Sequence, residues 1–230
     1  MSDGPSAGDR PTGGPPAPPE PPPSAEAVFG DAVELARRYV GRLATDGVTR
    51  GLIGPREVPR LWERHVLNSA AVAEAVPAGA RVVDVGSGAG LPGIPLGLAR
   101  PDVALTLVEP MARRVEFLEE AVGDLAPAAA SWRVVRGRAE DRSVISAVGP
   151  VDVVTARAVA PLPRLVAWCR GLLRPGAQLV ALVGSRALEE LPQLLPELRA
   201  AGMRDIEPRA VGASLGDAAT TVVVMTRAGH

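Results

Sequence analysis

From residue 80 onward, short runs of Val, Leu and Ile alternate with segments of helical pattern. The runs predict strands at 81–85, 103–108, 132–136, 151–155, 178–183, 204–210 and 219–226. The helical patterns lie near 93–100, 111–125, 161–173 and 187–201. Apolar strands separated by helices are typical of a parallel sheet covered on both faces. Because only a turn-like segment joins the last two strands, we predict an α/β fold with a mostly parallel seven-stranded sheet and an antiparallel edge hairpin.

The chain before this alternating region divides into two parts. Residues 1–24 hold nine Pro and four Gly, so they bury too little apolar surface to offset their ordering entropy. We therefore predict a disordered tail over 1–24, an N-terminal helical segment over 25–78, and a sheet domain over 79–230.

Helical periodicity in the N-terminal part covers 24–44, where Ser24 is the predicted N-cap. Gly and Pro then predict a loop over 45–55. The segment 57–76 is predicted to form one or two short helices broken around Pro59. The N-terminal part is therefore expected to add helices to the α/β fold.

The basic residues are all arginine: the chain has 25 Arg and no Lys. This excludes Schiff bases, pyridoxal phosphate anchoring and a P-loop lysine. The single Cys, Cys169, excludes a disulfide framework and a Cys-based metal cluster. With only two His, His65 and His230, no metal site is expected.

The net charge of −1 bears on the partners of the chain. Proteins that hold nucleic acid through a broad basic face are usually more basic, so any nucleic-acid contact is expected to be local. No apolar run approaches the ~18 residues of a membrane span, and no secretory h-region is visible. We expect a cytoplasmic monomer without a membrane contact.

The strongest local signal is the glycine-rich segment from Asp84 to Gly93, which follows the first strand and opens a helix. Glycines at Gly86, Gly88 and Gly90 allow the backbone to turn sharply and to approach a ligand without interference from a Cβ atom. The segment therefore predicts a cofactor site at the end of the first strand.

A dinucleotide is one interpretation of this turn, because 88–93 formally matches G-x-G-x-x-G. Counted from Gly86 at the strand end, however, the position of the third glycine is Leu91. Pro92 also removes a backbone N–H in the first helical turn, where a pyrophosphate needs donors.

S-adenosylmethionine (SAM) is the favoured interpretation, because it has no phosphate and needs a close backbone approach with an acid nearby. The three alternating glycines directly after Asp84 and Val85 are the pattern that such enzymes use. Glu109, just after the second strand, is expected to accept both ribose hydroxyls, although a dinucleotide would use an acid at the same place.

Five segments of the chain resemble the RsmG (GidB) family of bacterial methyltransferases. They are Arg-His-Val-Leu-Asn-Ser at 64–69, Leu-Pro-Gly-Ile-Pro-Leu at 91–96, Arg-Arg-Val-x-Phe-Leu at 113–118, Gly-Arg-Ala-Glu at 137–140 and Ala-Arg-Ala at 156–158. The resemblance runs from about 26 to 226. It implies a Rossmann-like class I SAM-dependent methyltransferase that modifies N7 of guanine 527 in the 530 loop of 16S rRNA, free or in the small ribosomal subunit.

The resemblance and the turn together assign a cofactor-binding set. Ala139 and Glu140 are expected against the adenine. The full set is Asp84, Gly86, Gly88, Gly90, Leu91, Glu109, Ala139, Glu140 and Arg157.

The helix that carries Arg64, His65 and Asn68 is implied to face the same cleft. No catalytic residue is identified, and the candidates are Arg64, His65 and Arg157. An ion pair of Arg157 with Asp152 or Glu109 is the structural alternative.

Other side chains carry narrower predictions. Arg113 and Arg114 are expected on a solvated helix face, and Trp62 is the tryptophan that we would test for base stacking. The family usually has Lys where this chain has Val183, and Arg186 is the predicted substitute. The arginines expected to contact RNA are Arg56, Arg60, Arg64, Arg136, Arg138 and Arg157.

The chemistry that the chain lacks narrows the acceptor. C5 methylation of a pyrimidine needs a Cys nucleophile, yet Cys169 lies in an apolar helical pattern. The Asn/Asp-Pro-Pro-aromatic turn of amino methylases is absent after the fourth strand. Guanine N7 needs no deprotonation. Three alternatives stay open: a small-molecule methyltransferase, an NAD(P)-dependent oxidoreductase, and a non-catalytic RNA-binding protein with a SAM fold.

Overall fold

The computed structural model describes residues 17–157 and 159–229, and its centre is a seven-stranded sheet of order β3-β2-β1-β4-β5-β7-β6. The strands are β1 (Arg81–Val85), β2 (Ala104–Glu109), β3 (Arg133–Arg136), β4 (Val151–Arg157), β5 (Leu173–Leu182), β6 (Met203–Val211) and β7 (Thr220–Arg227). Neighbours from β3 to β5 are parallel, and β7 is antiparallel to both β5 and β6. The predicted fold class, with its edge hairpin, is confirmed.

Helices cover both faces of this sheet, as the apolar strands predicted. The α-helices are α1 (Pro23–Phe29), α2 (Val33–Arg42), α3 (Asn68–Ala70), α4 (Gly93–Ala99), α5 (Ala112–Asp124), α6 (Arg142–Val148), α7 (Leu162–Cys169) and α8 (Ser185–Ala200). Short 3-10 and π segments lie at Gly30–Ala32, Leu43–Gly47, Pro55–Arg60, Leu61–Leu67, Ala71–Ala75 and Ala213–Ala218. Within the described residues, no helix is long and apolar enough to cross a membrane.

Two hydrophobic cores lie on opposite faces of the sheet, because successive strand residues point to alternate faces. Val82 belongs to the core that contains the N-terminal helices, α4 and α5. Val83, the next residue of β1, belongs to the core beneath α6, α7 and α8. The N-terminal helical segment thus shares one core with the sheet, and the division at residues 78 and 79 stays a prediction about chain organisation.

The N-terminal part differs in detail from its prediction. Residues 1–16 of the predicted tail, like Ala158 and His230, lie outside the described residues. Pro19 accepts a hydrogen bond from the Trp62 ring and Glu20 pairs with Arg37, so these tail residues contact the folded part. The first helix begins at Pro23 without a side-chain cap, so Ser24 is not the N-cap.

Two local predictions are wrong. The helical run continues through Leu43–Gly47, where a loop was expected from residue 45. The seven-residue helix α6 was missed because its Val and Ile residues do not distinguish a short helix from a strand. A 3-10 segment, Ala213–Ala218, occupies the turn of the edge hairpin.

Gly97 of α4 packs against the buried ring of Trp132, just before β3. A substitution at Gly97 therefore tests how α4 packs beside β3. A Cβ atom at Gly97 would overlap the Trp132 ring, lying 2.8 Å from Cε2. We expect Gly97→Ala to lower the free energy of unfolding by about 1–3 kcal/mol, because overpacking a closed core forces atoms apart.

Gly123→Ala is the matched control for urea denaturation, because a Cβ atom there meets nothing within 4 Å. Gly123 lies in α5, so its replacement by Ala should raise the free energy of unfolding by up to about 1 kcal/mol. Equal stability of the two variants would show that Trp132 does not close over Gly97.

Candidate active site

The predicted site residues meet at the carboxyl ends of the parallel strands. The chain passes from β1 outward to β2 and β3, and then returns to β4 on the other side of β1. Ligands of open α/β sheets bind in the crevice at such a reversal of strand order. The glycine turn follows β1, and Glu109 and Arg157 end β2 and β4.

Asp84 lies beneath the glycine turn and is fully buried. One carboxylate oxygen accepts a hydrogen bond from the Gly93 N–H at 3.1 Å, and the other accepts one from the Thr155 hydroxyl at 3.2 Å. Burial raises the pKa of Asp84 to about 6, although hydrogen bonds to its oxygens counter the shift. Through these two hydrogen bonds the Asp84 side chain connects the end of the glycine turn, at Gly93, to β4, at Thr155.

The turn itself depends on positions without a side chain. Gly86 has φ +68°, and a Cβ atom there would lie 2.5 Å from Val159 Cγ1. Gly90 has φ +95°, and its Cβ atom would lie 3.1 Å from the Tyr39 hydroxyl oxygen. That hydroxyl donates to the Ala89 carbonyl at 2.7 Å, so α2 also holds the turn.

Glu109 links the end of β2 to the same turn. Its buried carboxylate accepts hydrogen bonds from Gly88 N–H at 3.0 Å and Met111 N–H at 3.1 Å. The Arg114 Nη1 atom lies 3.8 Å from Glu109 Oε2. Arg114 Nε is buried with no hydrogen-bond partner within the described part of the chain. The Arg114 side chain as a whole is nevertheless 39% exposed, which agrees with the expected solvated helix face.

An apolar cavity of about 200 Å³ lies beside the turn. Its walls are Val85, Val108, Pro110, Val159 and Trp168, and its polar edge is Gly86, Gly137, Arg138, Ala139 and Glu140. Ala139 and Glu140 therefore lie where the sequence placed them, after β3. Apolar walls with a few polar groups at one edge are typical of small-molecule and cofactor sites.

Two further cavities share lining residues with this one or with each other. The turn cavity, about 240 Å³, is lined by Leu52, Ile53, His65, Gly86, Ser87, Gly88, Ala89, Leu91, Arg114 and Arg157. The distal cavity, about 350 Å³, is lined by Glu57, Arg64, His65, Asn68, Arg157 and Asp217. Gly86 lines both the apolar and the turn cavities, and His65 and Arg157 line both the turn and the distal cavities.

Arg157 contacts the N-terminal helical segment rather than an acid. Its guanidinium donates to Ser69 Oγ at 3.0 Å, the Arg64 carbonyl at 3.2 Å, His65 Nδ1 at 3.1 Å and the His65 carbonyl at 3.4 Å. Asp152 instead pairs with Arg174 and Arg81. The predicted alternative, an ion pair of Arg157 with Asp152 or Glu109, is therefore wrong.

This arrangement sets the protonation of His65. A guanidinium only donates, so Nδ1 must accept, and the ring proton lies on Nε2, which is 2.9 Å from Glu57 Oε2. Burial lowers the pKa of His65, and the Arg157 charge lowers it further. The hydrogen bond from His65 lowers the pKa of Glu57. His65 is a neutral link between Arg157 and Glu57, with both nitrogens occupied.

Some predicted residues do not reach the cleft. Trp62, the tryptophan chosen for a test of base stacking, is 1% exposed, so it is a core residue and offers no stacking surface. Arg186 pairs with Glu190 on α8 and has an 89% exposed side chain, so it does not reach the three cavities.

Asn68, by contrast, does reach the cleft: it lines the distal cavity and donates to the Ala218 carbonyl at 3.3 Å.

Sequence reasoning did not assign Tyr39, Glu57, Arg114 or Asp217 to the cleft region. Tyr39 carried a signal, since it is the single Tyr and lies on the apolar face of its helix. Glu57 and Asp217 carried none, because tertiary packing alone brings them to His65 and Arg157.

Comparisons with solved structures agree with this fold. A precorrin-6y C5,15-methyltransferase from Geobacter metallireducens matches with a TM-score of 0.51 and 13% identity, covering 77% of this chain and 91% of that one. An O-methyltransferase family protein from Burkholderia thailandensis matches with a TM-score of 0.54 and 14% identity, covering 88% and 64%. At these identities the likeness shows the fold alone.

Sequence comparisons identify the family. Residues 32–213 match the GidB family, described as rRNA small subunit methyltransferase G. A ribosomal RNA small subunit methyltransferase G of Mycolicibacterium gilvum is 54% identical over 206 residues, which is 90% of this chain and 89% of the relative. One of Salinispora tropica is 54% identical over 215 residues, covering 91% and 88%. The predicted methyltransferase identity is confirmed, and the chain belongs to the rRNA small subunit methyltransferase G (GidB) family.

Proposed function

We propose that this protein transfers a methyl group from SAM to N7 of a guanine in the 530 loop of 16S rRNA. The observation that carries the proposal is the row of three adjoining cavities around the glycine turn. The first two suit the two ends of the cofactor, and the third, next to them, suits a purine base. The monomeric state and the cytoplasmic location stay predictions.

The chain's residues fit SAM along the first two cavities. The walls of the apolar cavity suit the adenine, and Ala139 and Glu140 lie at its edge. Gly86 lines both cavities with backbone atoms alone, so the cofactor meets no side chain of residue 86 there. In this proposal Glu109, which accepts from the Gly88 N–H of the turn, also accepts the ribose hydroxyls. The buried Arg114 Nε, which has no partner among the described residues, suits the carboxylate of the methionine end.

Other members of the predicted cofactor set have supporting roles in this proposal. Asp84 holds the turn from beneath, and Gly90 lets Tyr39 pack against it. Leu91 lines the turn cavity. Arg157 lines the same cavity, but its Nη atoms already donate to the 64–69 segment. We therefore assign Arg157 a positioning role at the boundary between cofactor and base.

The transfer step needs alignment more than proton chemistry. When bound, SAM supplies a methyl group on a sulfonium sulfur, which is an excellent leaving group. The N7 lone pair forms the new N–C bond while the S–C bond breaks. The electron pair of the broken S–C bond stays on sulfur. No proton is lost, and the positive charge passes to the purine. Since both ring nitrogens of His65 are occupied, the cleft suits an acceptor that needs no base.

Arginines around the cleft supply the RNA contacts in this proposal. Exposed side chains without an ion pair among the described residues include Arg56, Arg60, Arg64, Arg136 and Arg138. Arg64 lines the distal cavity and Arg138 lines the apolar cavity. Guanidinium groups bind phosphate through paired hydrogen bonds and stack on bases, so a few of them suffice for a local contact.

The direct test incubates the protein with methyl-labelled SAM and small ribosomal subunits that lack the modification. We expect label on 16S rRNA, located at guanine N7 by chain cleavage specific for 7-methylguanosine. Label on another atom of the rRNA would refute the N7 assignment. Label only on small molecules of an extract would support the small-molecule alternative instead.

Glu109→Gln tests where the cofactor binds. The neutral amide keeps the size of the side chain but loses the charged acceptor, so we expect the Kd for SAM to rise about 10–100-fold in calorimetry. Glu116 is an exposed acid on α5, the helix that follows β2, and Glu116→Gln should bind SAM like the wild type. Equal affinity of Glu109→Gln and the wild type would show that the cofactor lies elsewhere.

The Arg56→Ala/Arg60→Ala double variant tests the RNA surface. Loss of two phosphate contacts should raise the KM for ribosomal subunits with little change in kcat, and should reduce the salt dependence of binding by about one to two log units per log unit of salt. Arg199→Ala, on the exposed surface of α8, serves as the control. An unchanged salt dependence in the double variant would exclude these arginines from the contact.

A further inference from the structure

The distal cavity holds two carboxylates that the methyl transfer itself does not use. Glu57 and Asp217 line this cavity, whereas His65 and Arg157 line both it and the turn cavity. The two acids therefore lie on the side of His65 and Arg157 that is away from the glycine turn. A base that enters with its reacting edge toward the turn presents its opposite edge to them.

The chemistry of N7 methylation restricts how guanine is recognised. Guanine carries the acceptors N7 and O6 on one edge, and the donors N1–H and N2–H2 on the other. Its commonest recognition, by arginine at O6 and N7, would occupy the lone pair that must receive the methyl group. An enzyme that methylates N7 is therefore left with the donor edge, which requires an acceptor from the protein.

Glu57 is the carboxylate that is held in place. Its Oε2 accepts from His65 Nε2 at 2.9 Å, and His65 is itself held by Arg157 at 3.1 Å. A carboxylate has about four acceptor sites, so this contact leaves most of them for a ligand. The lowered pKa of Glu57 keeps it ionised at neutral pH. An acceptor fixed in advance loses little freedom on binding.

Asp217 faces the same cavity without such support. It lies on the 3-10 segment Ala213–Ala218 and is exposed. Among the described residues, no side chain or backbone group makes a hydrogen bond to its carboxylate. It carries the same charge at the same cavity, so it is a matched comparison for Glu57.

We infer that the Glu57 carboxylate accepts hydrogen bonds from the N1–H and N2–H2 edge of the acceptor guanine, and that it thereby selects guanine and turns N7 toward the glycine turn. This inference rests on the proposed function. Arg157 and His65 act as positioning residues for Glu57. The carboxylate also lies near the purine while it gains positive charge, so it stabilises the product of the transfer.

An atomic substitution in the RNA tests the inference. Small ribosomal subunits are reconstituted with 16S rRNA in which the methylated guanine, located with the wild type, is replaced by inosine. Inosine keeps N7 and N1–H but lacks the N2 amino group. With labelled SAM, we expect the wild-type kcat/KM to fall about 10-fold or more on the inosine subunits, because a charge-assisted hydrogen bond is lost.

Glu57→Gln keeps an oxygen for His65 but presents an amide to the base. We expect its kcat/KM on guanine subunits to fall about 10-fold or more and its guanine-to-inosine ratio to approach one, while its Kd for SAM stays at the wild-type value. Asp217→Asn should keep the wild-type guanine-to-inosine ratio. In Glu57→Ala this ratio should approach one, as in Glu57→Gln.

The inference would be overturned if Glu57→Gln and Glu57→Ala kept the wild-type ratio of kcat/KM on guanine subunits to kcat/KM on inosine subunits. If only Asp217→Asn lost that preference for guanine, the recognition would belong to Asp217. Failure of the proposed function has a different signature. In that case the wild type places no label on N7 of any guanine in native subunits, whatever residue stands at 57.

Discussion

The cleft depends on a carboxylate that no solvent reaches. The Asp84 side chain is fully buried, and the burial of an isolated charge costs free energy unless hydrogen bonds compensate for it. Here the Gly93 N–H and the Thr155 hydroxyl supply that compensation. One partner begins the helix after the turn and the other lies on β4, so this side chain joins the three elements that form the crevice. Gly88, presented by the same turn, then reaches the Glu109 carboxylate.

The sheet and the first half of the site were predictable because their signals are local. Apolar runs such as that of β1 report burial on both faces, and the glycines at 86 and 90 report backbone conformations that other residues rarely adopt. The acid at 109 is the last residue of its strand. Such features depend on a few consecutive residues, so one sequence is enough to recognise them.

The second half was not predictable, because it forms only when distant segments pack together. Glu57 becomes part of the cleft through His65, and Asp217 arrives from the turn between β6 and β7. The place of Trp62 was not predictable either: its ring is buried, and its Nε1–H donates to the carbonyl of Pro19, a residue of the expected tail. No periodicity in the sequence distinguishes a tryptophan that closes a core from one that stacks on a base.

The contacts of Arg157 limit how this protein could be divided or recombined. Its guanidinium, at the end of β4, is satisfied by Ser69 and by the carbonyls of Arg64 and His65. The sheet domain grafted onto a foreign N-terminal segment would lose the Tyr39 contact to the glycine turn, and it would carry a half-buried cation without acceptors. The cofactor half is thus not an exchangeable module, and a new acceptor base would have to evolve through paired changes in both halves of the chain.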